Sequence, residues 1–289
     1  MKDIIYINGA LVPRGEARIS PFDRGFLYGY GLFETMRSYR GRVFRLDRHL
    51  ARLMNSAERL GLAALLDPAA LEQAIQKTLE ANRLRDARIR LSVSAGEGER
   101  GLEPPESGTL TIIVVAQKLV PPTPQAYGEG VSAAIVSARR NSQSPLSGIK
   151  SMAYLESLLA HSEAVAAGAD EAILLSERGT VAECSTSNIF LVVGERLLTP
   201  SAESGILPGI TREVVLEMAQ GLGITTVVGE IQLADLLGAD EAFLTNSIVE
   251  VMPITQVDGK PVGSGRPGEM TKRLLKAYKE LVLQQGHDY

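Results

Sequence analysis

Few of the residues that staple or metallate a fold occur in this chain. A single cysteine, Cys184, in 289 residues excludes an internal disulfide framework and suits a reducing compartment. The three histidines, His49, His161 and His287, lack ligand-like spacing, so no structural metal site is expected. No apolar run approaches the length of a membrane span. Basic excess is missing too. A formal net charge of -4 with both signs interspersed leaves neither a nucleic-acid footprint nor a polybasic membrane patch. The opening MKDIIYING lacks the apolar stretch of a secretory signal and reads as a first strand. Internal repeats and low-complexity tracts are absent. The expectation is a soluble, cytoplasmic globular protein, long enough for one large domain or two of ordinary size.

What is present alternates between strand and helix patterns. Ile4–Ile7 and Ala10–Val12 flank Asn8-Gly9, a hairpin signal. Gly25, Gly29 and Gly31 are set among aromatics, where backbone can approach another group closely. Phe33–Tyr39 alternates as a strand, and Arg40-Gly41 turns it into Val43-Phe44. The spacing predicts helices over 46–60 and 68–81, with Arg52 on the same side as Leu53, Ser56 and Leu60. Arg52 reads either as a surface arginine or as a phosphate contact. Strands are expected over 87–94, carrying Arg88 and Arg90 on one face, and over 109–116. The proline-rich, aperiodic QKLVPPTPQAYG suggests a domain boundary.

The rest is organised around residues 139–190. A polar loop, Asn141–Gly148, leads to Lys150, and a helical pattern follows through Tyr154, Leu155, Leu158, Leu159, Ser162 and Val165. An apolar run from Glu171 to Leu175, a turn at Glu177-Arg178-Gly179 and a second run holding Glu183 predict two paired strands. A partly desolvated lysine with a carboxylate delivered across from it suits a Schiff-base enzyme; by position alone, Lys150 also reads as a solvated lysine at a helix start. Further on, ILPGITRE opens a helix whose unpaired N–H groups could receive an anion. Strands near 226–228 and 240–244 and helices at 233–237 and 268–283 complete the pattern, with Thr245-Asn246-Ser247 as a hydroxylic cluster that could donate to a phosphate.

Six stretches in order carry a resemblance: DRGFLYGYGLFETMR (23–37), HLARL (49–53), IKSMAYLES (149–157), VAECSTSNIF (181–190), ILPGITRE (206–213) and FLTNSIVEVMPI (243–254). Over nearly its whole length the chain resembles the class IV aminotransferases, the fold-type IV pyridoxal-phosphate enzymes. That family includes branched-chain and D-amino-acid aminotransferases, some R-selective amine transaminases and aminodeoxychorismate lyases. The resemblance implies an α/β (α+β) fold of two domains with the cofactor in the cleft between them: a small one over 1–117, a linker over 118–128 and a large one over 129–289. It also implies a homodimer.

Carried over by position, Lys150 matches the lysine that forms the internal aldimine and shuttles the proton between Cα and C4′. Glu183 matches the carboxylate on the pyridine nitrogen, which keeps the ring an electron sink. Arg52 matches the bidentate phosphate arginine; Leu207, Ile210 and Thr211 match the helix start around the phosphate, and Ser247 the hydroxyl on its other side. Tyr154 matches a tyrosine near the cofactor's 3′-oxygen. Tyr28, Phe33 and Thr35 fall where the family builds its side-chain pocket, and Arg90 and Arg100 where it recognises carboxylates.

The implied reaction is transfer of an amino group between an amino acid and a 2-oxo acid; the alternatives are pyruvate elimination from 4-amino-4-deoxychorismate and a non-catalytic cofactor carrier. Arg88-Ile89-Arg90 lacks the tyrosine of the branched-chain pattern, and Leu102 replaces the histidine of D-amino-acid enzymes and the tyrosine of some lyases. Cys184 is expected to be a small buried residue rather than a nucleophile.

Overall fold

The structure is a computed structural model and describes residues 3–98 and 110–285. The chain separates into two compact units, one formed chiefly by Met1–Val120 with Ile149–Tyr154, the other by Pro121–Gly148 and Leu155–Gln284.

The first unit contains β1 (Ile4–Ile7), β2 (Ala10–Pro13), α1 (Arg24–Tyr28), β3 (Gly31–Tyr39), β4 (Arg42–Val43), α2 (Leu46–Arg59), α3 (Pro68–Asn82), β5 (Ala87–Ser94) and β6 (Thr111–Lys118). Asn8 and Gly9 both take positive φ, the conformation that joins β1 to β2. The strands form an antiparallel sheet in the order β2-β1-β6-β5-β3-β4. Period-two alternation sorts its faces. Leu32 and Met36 of β3 and Ile89, Leu91 and Val93 of β5 form one core with Leu50 and Leu53 of α2 and Ile75 and Leu79 of α3. The same alternation puts Phe33, Thr35 and Arg37 of β3 and Arg88, Arg90 and Ser92 of β5 on the opposite face.

The second unit contains α4 (Pro124–Glu129), β7 (Val131–Arg140), α5 (Leu155–Ala166), β8 (Glu171–Ser176), β9 (Val181–Cys184), β10 (Asn188–Val193), β11 (Arg196–Pro200), α6 (Ile210–Gly221), β12 (Thr225–Gly229), α7 (Leu233–Leu237), β13 (Glu241–Asn246), β14 (Glu250–Val257), β15 (Lys260–Pro261) and α8 (Glu269–Gln285). Its mixed sheet runs β12-β11-β10-β13-β14-β7-β8-β9, with β15 beside β14. Glu171–Leu175 and the run holding Glu183 do pair, as β8 and β9 around the turn at 177–179.

Three features differ from the sequence expectation. Helix α4 occupies residues 124–129 of the aperiodic stretch, with Pro124 at its first turn and the Thr123 hydroxyl accepting from the Ala126 N–H. Lys150 does not enter a helix directly; four residues separate it from α5, and residues 149–154 pair with β3. Within α5 the small Ser157, Ala160 and Ala164 are buried, while Leu155, Leu158, Leu159 and Val165 are exposed. Ala160 and Ala164 admit the helix closely to Ala134, Ala172 and Leu174 of the sheet, leaving the larger stripe outside.

Candidate active site

In the first unit the lysine is positioned by backbone pairing. Strand β4 pairs with β3 only at Ser38 and Tyr39; near the other end of that strand, residues 149–154 run alongside it. Phe33 N–H donates to the Lys150 carbonyl at 3.0 Å, and Met152 N–H to the Gly31 carbonyl at 2.8 Å. Gly31 permits this: a Cβ there would stand 2.5 Å from Met152 Sδ and 2.6 Å from the Val93 carbonyl oxygen. The Lys150 side chain then reaches the outward face of β3. Its Nζ lies 4.6 Å from the Phe33 ring centroid, with Arg90 Cζ 3.8 Å from the same centroid. Tyr154 meets Phe33 edge-on at 5.2 Å.

Arg90 is half-buried and donates through Nε to Ser92 Oγ at 3.2 Å. Burial, with Arg88 adding like charge, lowers its proton affinity. Thr35 stands opposite Arg90 across the ladder, and Arg37 opposite Arg88. Two cations facing each other repel, so this end of the face favours anionic company. Tyr28 is an exposed residue at the end of α1. Arg100 and Leu102 lie outside the described residues.

Arg52 is held on the helix-covered face of the same sheet. Its Nε and Nη2 donate to Glu34 Oε1 and Oε2 at 2.8 and 2.6 Å, and His49 Nδ1 meets Oε2 at 2.7 Å. All three side chains are buried. Burial alone would raise the Glu34 carboxyl, but the Arg52 guanidinium and the His49 contact hold it at about 2. Burial pushes His49 down, so it is neutral at pH 7 and gives Glu34 its Nδ1 hydrogen, since a carboxylate can only accept. The paired Nε–Nη2 edge of Arg52 therefore faces Glu34, and an anion bound by this arginine would meet its Nη1 side. The sequence does not mark Glu34 and His49 as partners of Arg52, although a charge at the same alternation as Leu32 and Met36 is a readable signal.

In the second unit Glu183 sits on β9 with both oxygens engaged. Arg140 Nε donates to Oε1 at 2.8 Å, while Oε2 accepts from Leu207 N–H at 2.9 Å and Asn188 Nδ2 at 3.4 Å. Arg140 is itself gripped by Glu156 at the start of α5. Asn188 also donates to the Leu207 carbonyl at 2.8 Å, and a Cβ on Gly209 would overlap Asn188 Oδ1. Next in the chain, Gly209 caps α6 without a side-chain bond, so the amides at Ile210 and Thr211 have no side-chain acceptor at the cap. Buried Thr211 places a hydroxyl there. Ser247 lies in the turn that Asn246 shapes by accepting from Ile248 and Val249 N–H, both at 2.9 Å. Thr245 Oγ1, just before it, is buried without a hydrogen-bond partner among the described residues. Cys184, beside Glu183, is buried, and burial with Glu171 and Glu183 nearby pushes its thiol well up, which suits packing and not nucleophilic attack.

The first unit thus groups an amine, an aromatic pair and a half-buried guanidinium, with a second arginine fixed by Glu34. The second unit offers an oriented carboxylate and a helix start with free capping amides and the Thr211 hydroxyl. Among the described residues no cluster of His, Cys, Asp or Glu could hold a metal ion.

Residues 31–257 match the family model of the class IV amino-transferases. A protein from Methanocaldococcus jannaschii, provisionally named a branched-chain-amino-acid aminotransferase, is 40% identical over 98% of this chain and 97% of its own. The aminodeoxychorismate lyase of Bacillus subtilis is 36% identical over 99% of this chain and 97% of its own. A branched-chain amino acid aminotransferase from the organism abbreviated T.th., solved with N-(5'-phosphopyridoxyl)-L-glutamate, superposes with a TM-score of 0.91 at 34% identity, covering 98% of this chain and 94% of that one.

Proposed function

This chain belongs to the class IV aminotransferase family, and from that premise we propose that it uses pyridoxal 5'-phosphate to move an amino group from an amino acid to a 2-oxo acid. Its donor set fits that cofactor. In the second unit the uncapped amides at the start of α6 and the hydroxyls of Thr211 and Ser247 suit a phosphate dianion, and in the first unit the Glu34-braced Arg52 is a cation of the kind that binds one. Glu183, with its geometry fixed by Arg140 and the Leu207 N–H, would face the ring nitrogen, and Tyr154 the 3′-oxygen. When bound, the cofactor supplies an electron sink for the pair left behind when the substrate Cα loses its proton. Lys150 Nζ is the amine that anchors it and the base that takes that proton. Arg90 receives the substrate carboxylate, and Tyr28 and Thr35 border the side-chain pocket.

The observation that carries this reading is the close grouping of Lys150 and Arg90 around Phe33: an amine and a carboxylate acceptor on one sheet face. The test is the absorbance of the holoenzyme in single turnover with L- and D-amino acids of the branched-chain and alanine type. Conversion to the amine form of the cofactor by one of them supports amino transfer and gives its handedness. No conversion by any amino acid removes the reading.

One observation favours a second reading. Arg88 and Arg90 share a face, as a cyclic dicarboxylate would require. Pyruvate release from 4-amino-4-deoxychorismate, with no amino acid active, would make this a lyase that forms 4-aminobenzoate.

We also propose a cytoplasmic homodimer. The exposed Leu155, Leu158, Leu159 and Val165 of α5 and, in the first unit, Phe22, Phe26 and Leu27 around α1 are apolar surfaces that support a partner copy. Light scattering at micromolar concentration checks the mass. No helix among the described residues is long and apolar enough to cross a membrane.

A further inference from the structure

Two cations engage one phenyl ring in the first unit. Lys150 Nζ stands 4.6 Å and Arg90 Cζ 3.8 Å from the Phe33 centroid, and Tyr154 closes on the ring edge at an interplanar angle of 85°. The backbone adds a tie, because the Phe33 N–H binds the Lys150 carbonyl. Phe33 is 3% exposed, so water does little to weaken either cation–π contact. A ring covered in this way has little surface left to offer a substrate side chain, the role that the family resemblance implies for it.

We propose that Phe33 is a positioning residue that acts through Lys150: its π face holds the Lys150 ammonium and fixes Arg90 at a set distance from that amine. The proposal rests on Lys150 being the reactive amine. The Nζ lone pair takes the Cα proton, the C–H bonding pair stays with carbon, and the resulting ammonium lies on the ring until it gives the proton up. A phenyl face favours NH3+ over NH2, so it raises the proton affinity of Lys150. The other charged or titratable groups on the surrounding elements include Arg88 and Arg90 of β5, Glu34 and Arg37 of β3, His49 and Arg52 of α2, and Tyr154, with Tyr39 at the far end of β3 and Asp47, Arg48, Glu58 and Arg59 elsewhere on α2. His49 lies within electrostatic reach of Lys150. All of these side chains stay chemically unaltered in the fluorinated proteins, so the series varies only the ring face that Lys150 and Arg90 share.

The experiment uses the cofactor-free full chain with Phe33 replaced site-specifically by 4-fluoro-, 3,5-difluoro- and 3,4,5-trifluorophenylalanine. These keep the shape of the ring and drain its face stepwise. Trinitrobenzenesulfonate labelling is read on the Lys150 peptide across pH. The expected result is a stepwise fall in the Lys150 pKa, seen as about tenfold faster labelling at fixed pH for the trifluoro member, one unit being tenfold. Phe33→Tyr, which keeps the face, should label like the native chain. A flat series overturns the proposal. Lys150→Ala separates the two levels: if it keeps the absorbance of lysine-bound cofactor, the functional reading falls and the proposal with it, whereas a flat series beside a lost absorbance removes the proposal alone.

Discussion

Glu34 grips Arg52 by two hydrogen bonds, Nε to Oε1 at 2.8 Å and Nη2 to Oε2 at 2.6 Å, with both side chains buried. The Glu34 carboxyl, held at about 2 against an ordinary 4.5, contributes stability that is present above pH 4.5 and is lost as pH falls through 2. The shift corresponds to a contribution on the order of 3 kcal/mol. Glu34→Gln should therefore lower unfolding free energy at pH 7 by about that amount, because a buried guanidinium loses its counter-charge. Urea unfolding from pH 7 to pH 2 should show the gap between native and variant closing on the acid side. A gap that stays constant with pH would separate the stability of the pair from the Glu34 charge.

Lys150→Ala removes the amine without touching the backbone pairing that seats it, since Phe33 N–H bonds to the Lys150 carbonyl. The variant should fold with a melting temperature within a few degrees of native. It should lose the visible absorbance of lysine-bound cofactor and at least about 10³-fold in turnover. Near-native turnover would take Lys150 out of the mechanism.

Glu183→Gln puts an amide where both oxygens now accept, so its NH2 must face either the Arg140 guanidinium or the Leu207 N–H, donor against donor. The variant should still retain cofactor through the remaining contacts while its half-reaction slows by about 10²-fold or more. Stopped-flow absorbance measures it, and an unchanged rate would deny Glu183 its role.

Arg88→Leu tests the arginine pair. Arg88 is exposed and sits across the ladder from Arg37, whereas Arg90 lies beside Phe33. The substitution should leave kcat/KM for a monocarboxylic substrate within about threefold and lower it about tenfold or more for a dicarboxylic one, the scale of one charge-assisted hydrogen bond. An equal loss with both substrates would place Arg88 outside substrate selection.

Much of this was legible in the sequence, and the failures have physical causes. Asn8-Gly9 can be read locally because its backbone conformation is chosen by two adjacent residues. The period of α2 survives because one helix face meets one core. The apolar period of α5 misleads: hydrophobic spacing marks a face, but only packing shows that alanines went inward and leucines outward. Arg140 could not be found because its partner Glu183 is 43 residues away and nothing local marks the pair. Nor could a linear boundary express that residues 149–154 pack with a sheet whose strands all lie before residue 121.

That last placement bears on how the chain can be divided. A cut after Val120 would leave the first fragment with the β3 edge that seats the lysine segment and the second with the lysine itself. Neither fragment would have the amine beside Phe33 and Arg90. Rejoining the two halves in trans would regenerate that grouping only when a six-residue stretch of one docked on a strand of the other, so under the proposed role of Lys150 recovery of lysine-bound cofactor absorbance would report complementation.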